Sequence, residues 1–220
     1  MMAAAPFDFE QARYNMIEQQ IRPWAVLDQD VLDLLSVVRR EEYVPPEYRT
    51  LAFGDFEIPL PNGSRMWTPK MEARVLQALT LAATDRVLEI GTGSGYFTAL
   101  LASSAAEVLS VEIDAATAER ARARLASFRN VRFEQGDGAR GFGSDTYDVI
   151  VLTGSTPVLP ERFIEQLRPG GRLFVVVGEP PVMTARLVRW FGPNARVVQD
   201  LFETVIQPLA HALAPERFVF

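Results

Sequence analysis

Residues 85–96, Asp85-Arg-Val-Leu-Glu-Ile-Gly-Thr-Gly-Ser-Gly-Tyr96, followed ten residues later by Glu107-Val-Leu-Ser-Val-Glu-Ile113, decide the fold of this chain. Arg86 to Ile90 is a short apolar run broken by a single acid, Glu89. The glycines Gly91, Gly93 and Gly95 come next, and then a helix-like stretch, Tyr96 to Ser103. That order reads as strand, glycine turn, helix. Glycine is needed where the backbone turns with positive φ and comes within contact distance of a ligand, and the helix that follows offers unpaired N–H groups at its N-terminus. Glu107 to Ile113 is a second strand-like run, and its Glu112 lies 21 residues after Gly91. An acid at that distance, at the end of the second strand of a βαβ unit, is placed to accept hydrogen bonds from ribose hydroxyls. The unit is therefore expected to bind a nucleoside.

The spacing separates kinds of nucleoside. A dinucleotide fingerprint reads G-x-G-x-x-G, with a pyrophosphate on the helix N-terminus, whereas this loop reads Gly91-x-Gly93-x-Gly95 behind a strand acid. An acid beside the loop repels a pyrophosphate but suits the ammonium and sulfonium of S-adenosylmethionine. The stretch Val87-Leu-Glu-Ile-Gly-Thr-Gly-Ser-Gly-Tyr96 closely resembles the first motif of class I methyltransferases. The resemblance implies that the matching acid and glycines hold the methionine part of S-adenosyl-L-methionine.

Length and composition set the outer bounds. A chain of 220 residues is within the range of one α/β domain and buries a full core without a staple. There is no cysteine, which excludes disulfides, cysteine-based zinc sites and a thiol nucleophile, and which fits a reducing cytoplasm. No metal site is expected, and the location is read as cytoplasmic. The opening Met1-Met-Ala-Ala-Ala-Pro6 carries no basic residue before its short apolar patch, unlike a signal peptide. No run approaches the ~20 apolar residues of a membrane span. A net charge of −6 and a pI near 5.0 argue against a nucleic-acid partner, whose phosphates demand a positive surface. Arg122, Arg124, Arg129 and Arg132 cluster, as either a local basic patch or, more commonly at this spacing, one solvated helix face.

Taken in order, Phe7 to Gln20 and Asp28 to Arg40 each carry one apolar stripe at helical spacing, with Asp28 as the N-cap of the second. Pro23 separates them, and Pro45-Pro46 is expected to close the second. Residues 43–69 are rich in proline and aromatics, the pattern of an ordered loop packed on the domain. Lys70 to Leu81 is again helical and leads into the first core strand. Residues 1–81 thus form a helical cap with its proline- and aromatic-rich loop, and 82–220 the nucleoside-binding core.

Met16-Ile-Glu-Gln-Gln-Ile-Arg22, Asp28-x-x-Val-Leu32 and Arg39-Arg-Glu-Glu-Tyr-Val-Pro45 resemble the opening of the protein-L-isoaspartate O-methyltransferases. Tyr147-Asp-Val-Ile-Val-Leu-Thr153 and Glu165-Gln-Leu-Arg-Pro-Gly-Gly-Arg-Leu173 resemble the same family's fourth and fifth strands. The likeness runs from about Arg13 to Gly178. It implies transfer of a methyl group to the carboxylate of an isoaspartyl or D-aspartyl residue in a damaged protein or peptide.

Beyond the second strand, Ala115 to Phe128 reads as a helix and Val131 to Gln135 as a third strand that ends in Gly136-Asp-Gly138. That tripeptide is either a plain turn or, as the resemblance implies, the place where Asp137 accepts a hydrogen bond from the adenine amino group. Thr146 to Leu152 is a nearly continuous apolar run, as in a central parallel strand covered on both faces. Thr153-Gly-Ser-Thr-Pro157 is expected to leave it as a loop. Thr153, Ser155 and Thr156 there either line the acceptor side or simply precede a helix, Leu159 to Leu167, which stops at Pro169-Gly-Gly171. Arg172 to Val177, Thr184 to Trp190 and Arg196 to Gln207 complete the sheet, the last two joined by a turn at residues 192–194. His211, the sole histidine, is read as solvated or packed.

The expected fold is α/β, a doubly wound, mostly parallel seven-stranded Rossmann-like sheet of the class I methyltransferase kind with an N-terminal helical cap. The cofactor set is Glu89, Gly91, Thr92, Gly93, Gly95, Glu112, Asp137 and Gly138. In one place the chain departs from the family. The relatives carry a glycine, then Gln-Thr-Ile-Ser, then one residue and a proline, with the serine hydroxyl beside the transferred methyl. Here the stretch is Gly63-Ser-Arg-Met-Trp-Thr-Pro69, which puts Trp67 at the serine position and Thr68 next to it. Indole has one donor, no acceptor and far more bulk than a hydroxymethyl group. Trp67 either reshapes the acceptor pocket or anchors the loop, and isoaspartyl methylation is expected to be weak or absent. A different small-molecule or protein acceptor, and a cofactor-binding protein without catalysis, stand as alternatives. Oligomeric state is not legible.

Overall fold

The computed structural model describes residues 6–193 and 195–213. The opening pentapeptide and Asn194 of the expected turn lie outside the described residues. The chain divides into two units, Met1–Gln77 and Ala78–Phe220.

In the first unit α1 spans Phe9–Met16, with the Asp8 carboxylate accepting the Gln11 N–H as its cap. It runs on through a π-helical turn, Ile17–Ile21, into a tight turn, Arg22–Trp24, that contains Pro23. The second helix, α2, spans Gln29–Val37, and Asp28 caps it by accepting the Asp30 and Val31 N–H groups. It stops three residues short of the expected Arg40, and the reason is Arg40 itself. Val38 turns extended, and Arg40 enters the core at 1% exposure. There its guanidinium donates to the Glu72 carboxylate and to the Ala52 and Trp67 carbonyls. Satisfying a buried guanidinium outweighs three more helical residues, because an unpaired buried charge costs several kcal/mol. Pro45-Pro46 therefore closes no helix; Pro46 opens a 3-10 segment, Pro46–Leu51. The loop after it is not irregular throughout, since β1, Ile58–Pro59, pairs antiparallel with β2, Arg65–Met66. The next helix, α3, spans Pro69–Leu79.

The second unit holds the large sheet. Its strands are β3 (Arg86–Ile90), β4 (Glu107–Glu112), β5 (Val131–Gln135), β6 (Tyr147–Thr156), β7 (Leu167–Glu179), β8 (Val182–Gly192) and β9 (Ala195–Thr204), in the spatial order β5-β4-β3-β6-β7-β8-β9. The first four contacts, from β5 to β7, are parallel, and β8 and β9 add antiparallel. Three helices connect them: α4 (Tyr96–Ser104), α5 (Ala115–Arg124) and α6 (Glu161–Glu165). From β3 the chain steps outward to β4 and β5, then returns to the other side of β3 for β6. That reversal is the switch point at which open α/β sheets bind ligands, outside the carboxyl ends of the strands.

Elements of the second unit also differ from the sequence reading. The fourth core strand, β6, does not end at Leu152: after an irregularity it pairs Ser155 and Thr156 with Val176 and Val177 of β7. The expected loop is thus strand, with Ser155 and Thr156 at 1% and 2% exposure. Helix α6 has only five residues, because Leu167 already pairs with Tyr147 in the sheet, so Pro169-Gly-Gly171 ends no helix. Helix α5 ends at Arg124 rather than Phe128. The core is packed between α6 and the inner strands by Leu88, Ile90, Ile150, Leu152, Phe163 and Leu173, among others.

Candidate cofactor and acceptor site

The glycine loop leaves β3 at the switch point. Gly91, Gly93 and Gly95 have φ of 96°, 53° and 85°, the left-handed region that glycine alone enters without penalty. Gly91 is excluded from substitution twice over, since a Cβ there would also stand 2.2 Å from Thr153 Oγ1. Thr153 Oγ1 in turn donates toward the Ile90 and Gly91 carbonyls at 3.0 and 2.7 Å, tying β6 to the loop. Those bonds hold the turn.

Glu112 ends β4 beside this loop. Its Oε2 accepts the Gly93 N–H at 2.9 Å and its Oε1 accepts the Asp114 N–H at 3.1 Å. Each carboxylate oxygen keeps a further lone pair, so the acid that fixes the loop still has acceptor capacity. Past β5, Asp137 Oδ1 accepts the Ala139 N–H at 3.0 Å, closing a turn, and Gly138 packs on Ile90, where a Cβ would meet its side chain at 2.8 Å. The tripeptide is thus a turn in conformation, and its carboxylate is nevertheless exposed. The Ala139 N–H first and His211 second hold that carboxyl below its ordinary value.

Glu89 is placed otherwise than an acid facing an ammonium. It is 0% exposed; Oε2 accepts from Thr98 Oγ1 at 2.5 Å and Ser110 Oγ at 2.6 Å, and Oε1 has no hydrogen-bond partner. Burial pushes its carboxyl up to about 7, against the pull of the Ser110 and Thr98 hydroxyls, with Glu112 adding to the rise. Thr92 joins the same chain, its Oγ1 2.6 Å from Ser110 Oγ. Glu89 and Thr92 therefore lie under the loop and hold it from within. Ser155 and Thr156 are likewise enclosed, and only Thr153 of that trio is partly exposed.

In the first unit Trp67 is 6% exposed, and its carbonyl accepts from Arg40. Thr68 follows at the start of α3, where its Oγ1 accepts the Met71 N–H at 3.4 Å. Among the described residues no cluster of His, Asp or Glu is arranged to hold a metal ion, and no helix is long and apolar enough to cross a membrane. A cleft of about 710 Å³ bordered by Glu161, Trp190 and Arg196 opens at the opposite end of the strands and contains none of these residues.

The sequence profile of the protein-L-isoaspartate(D-aspartate) O-methyltransferases matches residues 11–211. This chain belongs to that family. Among curated relatives, the protein-L-isoaspartate O-methyltransferase of Koribacter versatilis is 36% identical over 193 residues, covering 86% of this chain and 87% of its own. One from Anaeromyxobacter sp. is 40% identical over 201 residues, covering 89% and 95%. A solved protein-L-isoaspartate O-methyltransferase superposes with a TM-score of 0.75 at 26% identity, over 90% of this chain and 66% of that one. A Plasmodium falciparum structure, described as a complex with S-adenosyl-L-homocysteine, gives a TM-score of 0.77 at 18% identity, over 92% and 98%, and so bears on the fold. The chain is an S-adenosyl-L-methionine-dependent O-methyltransferase by family, and its seven-stranded sheet is the family's fold. Sequence reading missed His211 in this methyltransferase, which stands at the Asp137 carboxylate; a lone histidine 74 residues away carries no local signal of that pairing.

Proposed function

We propose that this protein transfers the methyl group of S-adenosyl-L-methionine to a carboxylate of a damaged protein or peptide, and that its turnover on isoaspartyl residues is low. The cofactor half rests on the left-handed glycine turn at the end of β3, with Glu112 and Asp137 at the ends of the next two strands, β4 and β5. In this reading the backbone of Gly91, Gly93 and Gly95 meets the methionine part, and free lone pairs on Glu112 accept the ribose hydroxyls. Asp137 accepts the adenine amino group, with Gly138 giving the base room. Thr92 and Glu89 act from below by keeping the loop in shape. Three left-handed glycines and two acids with spare acceptor capacity fit the group's backbone approach, ribose and amine.

The cofactor supplies an activated methyl on its sulfonium. An acceptor carboxylate is ionised at neutral pH, so no side chain of this protein has to remove a proton. What the chain must do is hold the carboxylate oxygen in line with the methyl at about 3 Å. Relatives named for the isoaspartate reaction support a carboxylate acceptor. Trp67 supports the low turnover: the family's serine position carries an indole that is buried, with no hydroxyl to orient a carboxylate. The same observation favours a second reading, in which the protein takes a different protein or small-molecule acceptor. Thr68 at the start of α3 is the nearest hydroxyl in sequence.

The test is transfer of base-labile radiolabelled methyl to an isoaspartyl peptide by the unmodified protein and by Trp67→Ser. Low transfer that rises in the variant is expected. Rapid turnover by the unmodified protein refutes the restriction, while no transfer to any acceptor in a cell extract refutes catalysis.

A further inference from the structure

His211 belongs to a segment that β6 holds against the cofactor end of the sheet. The Ser155 N–H donates to the Gln207 carbonyl at 3.0 Å, and the Leu209 N–H donates to the Ser155 carbonyl at 2.9 Å. Residues 207–209 so form a short parallel bridge on the last residues of β6. Gly154 permits the approach, since a Cβ there would stand 2.8 Å from Leu209 N and 2.9 Å from its Cδ2. The Leu209 side chain also reaches Gly91, its Cδ2 lying 3.9 Å from where a Gly91 Cβ would be. Two residues on, His211 takes a left-handed φ of 61°, uncommon outside glycine, asparagine, aspartate and histidine. Its Nδ1 stops 2.8 Å from Asp137 Oδ2. An ionised carboxylate only accepts, so Nδ1 carries the proton.

Asp137 is therefore gripped at both oxygens, Oδ1 by the Ala139 N–H and Oδ2 by His211. The two side chains remain 45% and 66% exposed, so a ligand can reach the pair. The terminal torsion of an aspartate is otherwise broad; two donors at opposite oxygens leave the carboxylate one plane and fixed directions for its remaining lone pairs.

We propose that His211 is a positioning residue for nucleobase recognition: it locks the Asp137 carboxylate so that a free lone pair faces the exocyclic amino group of the cofactor's purine. This rests on the reading of Asp137 as the adenine acceptor. An amino purine offers a donor there, whereas an oxo purine offers an acceptor to an acceptor. A locked carboxylate rejects the second, because it cannot rotate away to admit a bridging water. His211 thus acts on the choice between amino and oxo purines more than on affinity for the sugar and amino-acid parts.

The experiment is calorimetric titration of the full chain with S-adenosylhomocysteine and S-inosylhomocysteine, for the unmodified protein, His211→Ala, His211→Asn and Asp137→Ala. The asparagine amide places a donor near the Nδ1 position. The ratio of the two dissociation constants is expected to fall about 3- to 10-fold in His211→Ala, the equivalent of one net hydrogen bond, and to recover in His211→Asn. Asp137→Ala is expected to bring the ratio close to one. If Asp137→Ala abolishes the preference while His211→Ala keeps it, or if alanine and asparagine at 211 lower it alike, the positioning role is overturned. If Asp137→Ala leaves the preference intact, the adenine reading itself fails.

Discussion

Replacing Glu89 by glutamine is expected to remove a pH-dependent loss of stability. The carboxyl is fully enclosed, has no cationic partner among its hydrogen bonds, and titrates near 7 against 4.5 for the free group. A group whose folded value is raised binds more protons in the folded chain, so its contribution to stability is lost as pH rises from 4.5 through about 7. At about 1.4 kcal/mol per pH unit, ionisation above that window costs on the order of 3 kcal/mol. Glutamine reproduces the protonated acid closely. One oxygen still accepts from Thr98 and Ser110, and an N–H bearing nitrogen replaces Oε1, which has no partner in either case. The variant should therefore gain on the unmodified protein by roughly 2–3 kcal/mol between pH 5 and pH 8. In urea unfolding, with a slope of roughly 2–3 kcal/mol per M, the midpoints should separate by about 1 M over that range. All other titrating groups are common to both proteins and cancel in the difference. Midpoint curves that run parallel from pH 5 to pH 8 would mean that Glu89 is ionised at no extra cost.

Glu112→Ala is expected to weaken S-adenosyl-L-methionine by about 1.5–3 kcal/mol, the range for a hydrogen bond to a charged group; equal calorimetric affinity in a folded variant removes Glu112 from the site. Gly91→Ala, at φ 96° and with its Cβ against Thr153, is expected to lower the urea midpoint by the equivalent of about 1–3 kcal/mol. Adding Thr153→Ala should restore only part of that, since the backbone strain remains; full recovery would show that the contact, and not φ, sets the requirement. Trp67→Ser is expected to raise isoaspartyl transfer, measured as described above.

Features that depend on neighbours along the chain can be read from residue order alone. The run Arg86 to Ile90, the three glycines and the start of α4 at Tyr96 were legible because a strand, a left-handed turn and a helix each impose a local residue pattern. The cap at Asp28 was legible for the same reason, a short acceptor side chain ahead of an apolar stripe. The family followed from Glu18-Gln-Gln-Ile-Arg22 and its companions, which are specific strings rather than folding patterns. Everything that depends on partners distant in sequence is set by the folded chain. Arg40 leaves α2 because Glu72 and the Trp67 carbonyl are elsewhere in the chain. Ser155 and Thr156 are strand rather than loop because β7 lies on one side and residues 207–209 bridge the other. Glu89, which reads locally as an acid at the edge of a ligand, is enclosed by Thr98 from α4 and Ser110 from β4. His211 finds Asp137 only when the final segment folds back over the switch point. Periodicity and capping are set within a few residues, whereas the burial and pairing of a polar group are set by which surfaces meet, and no local pattern encodes that meeting.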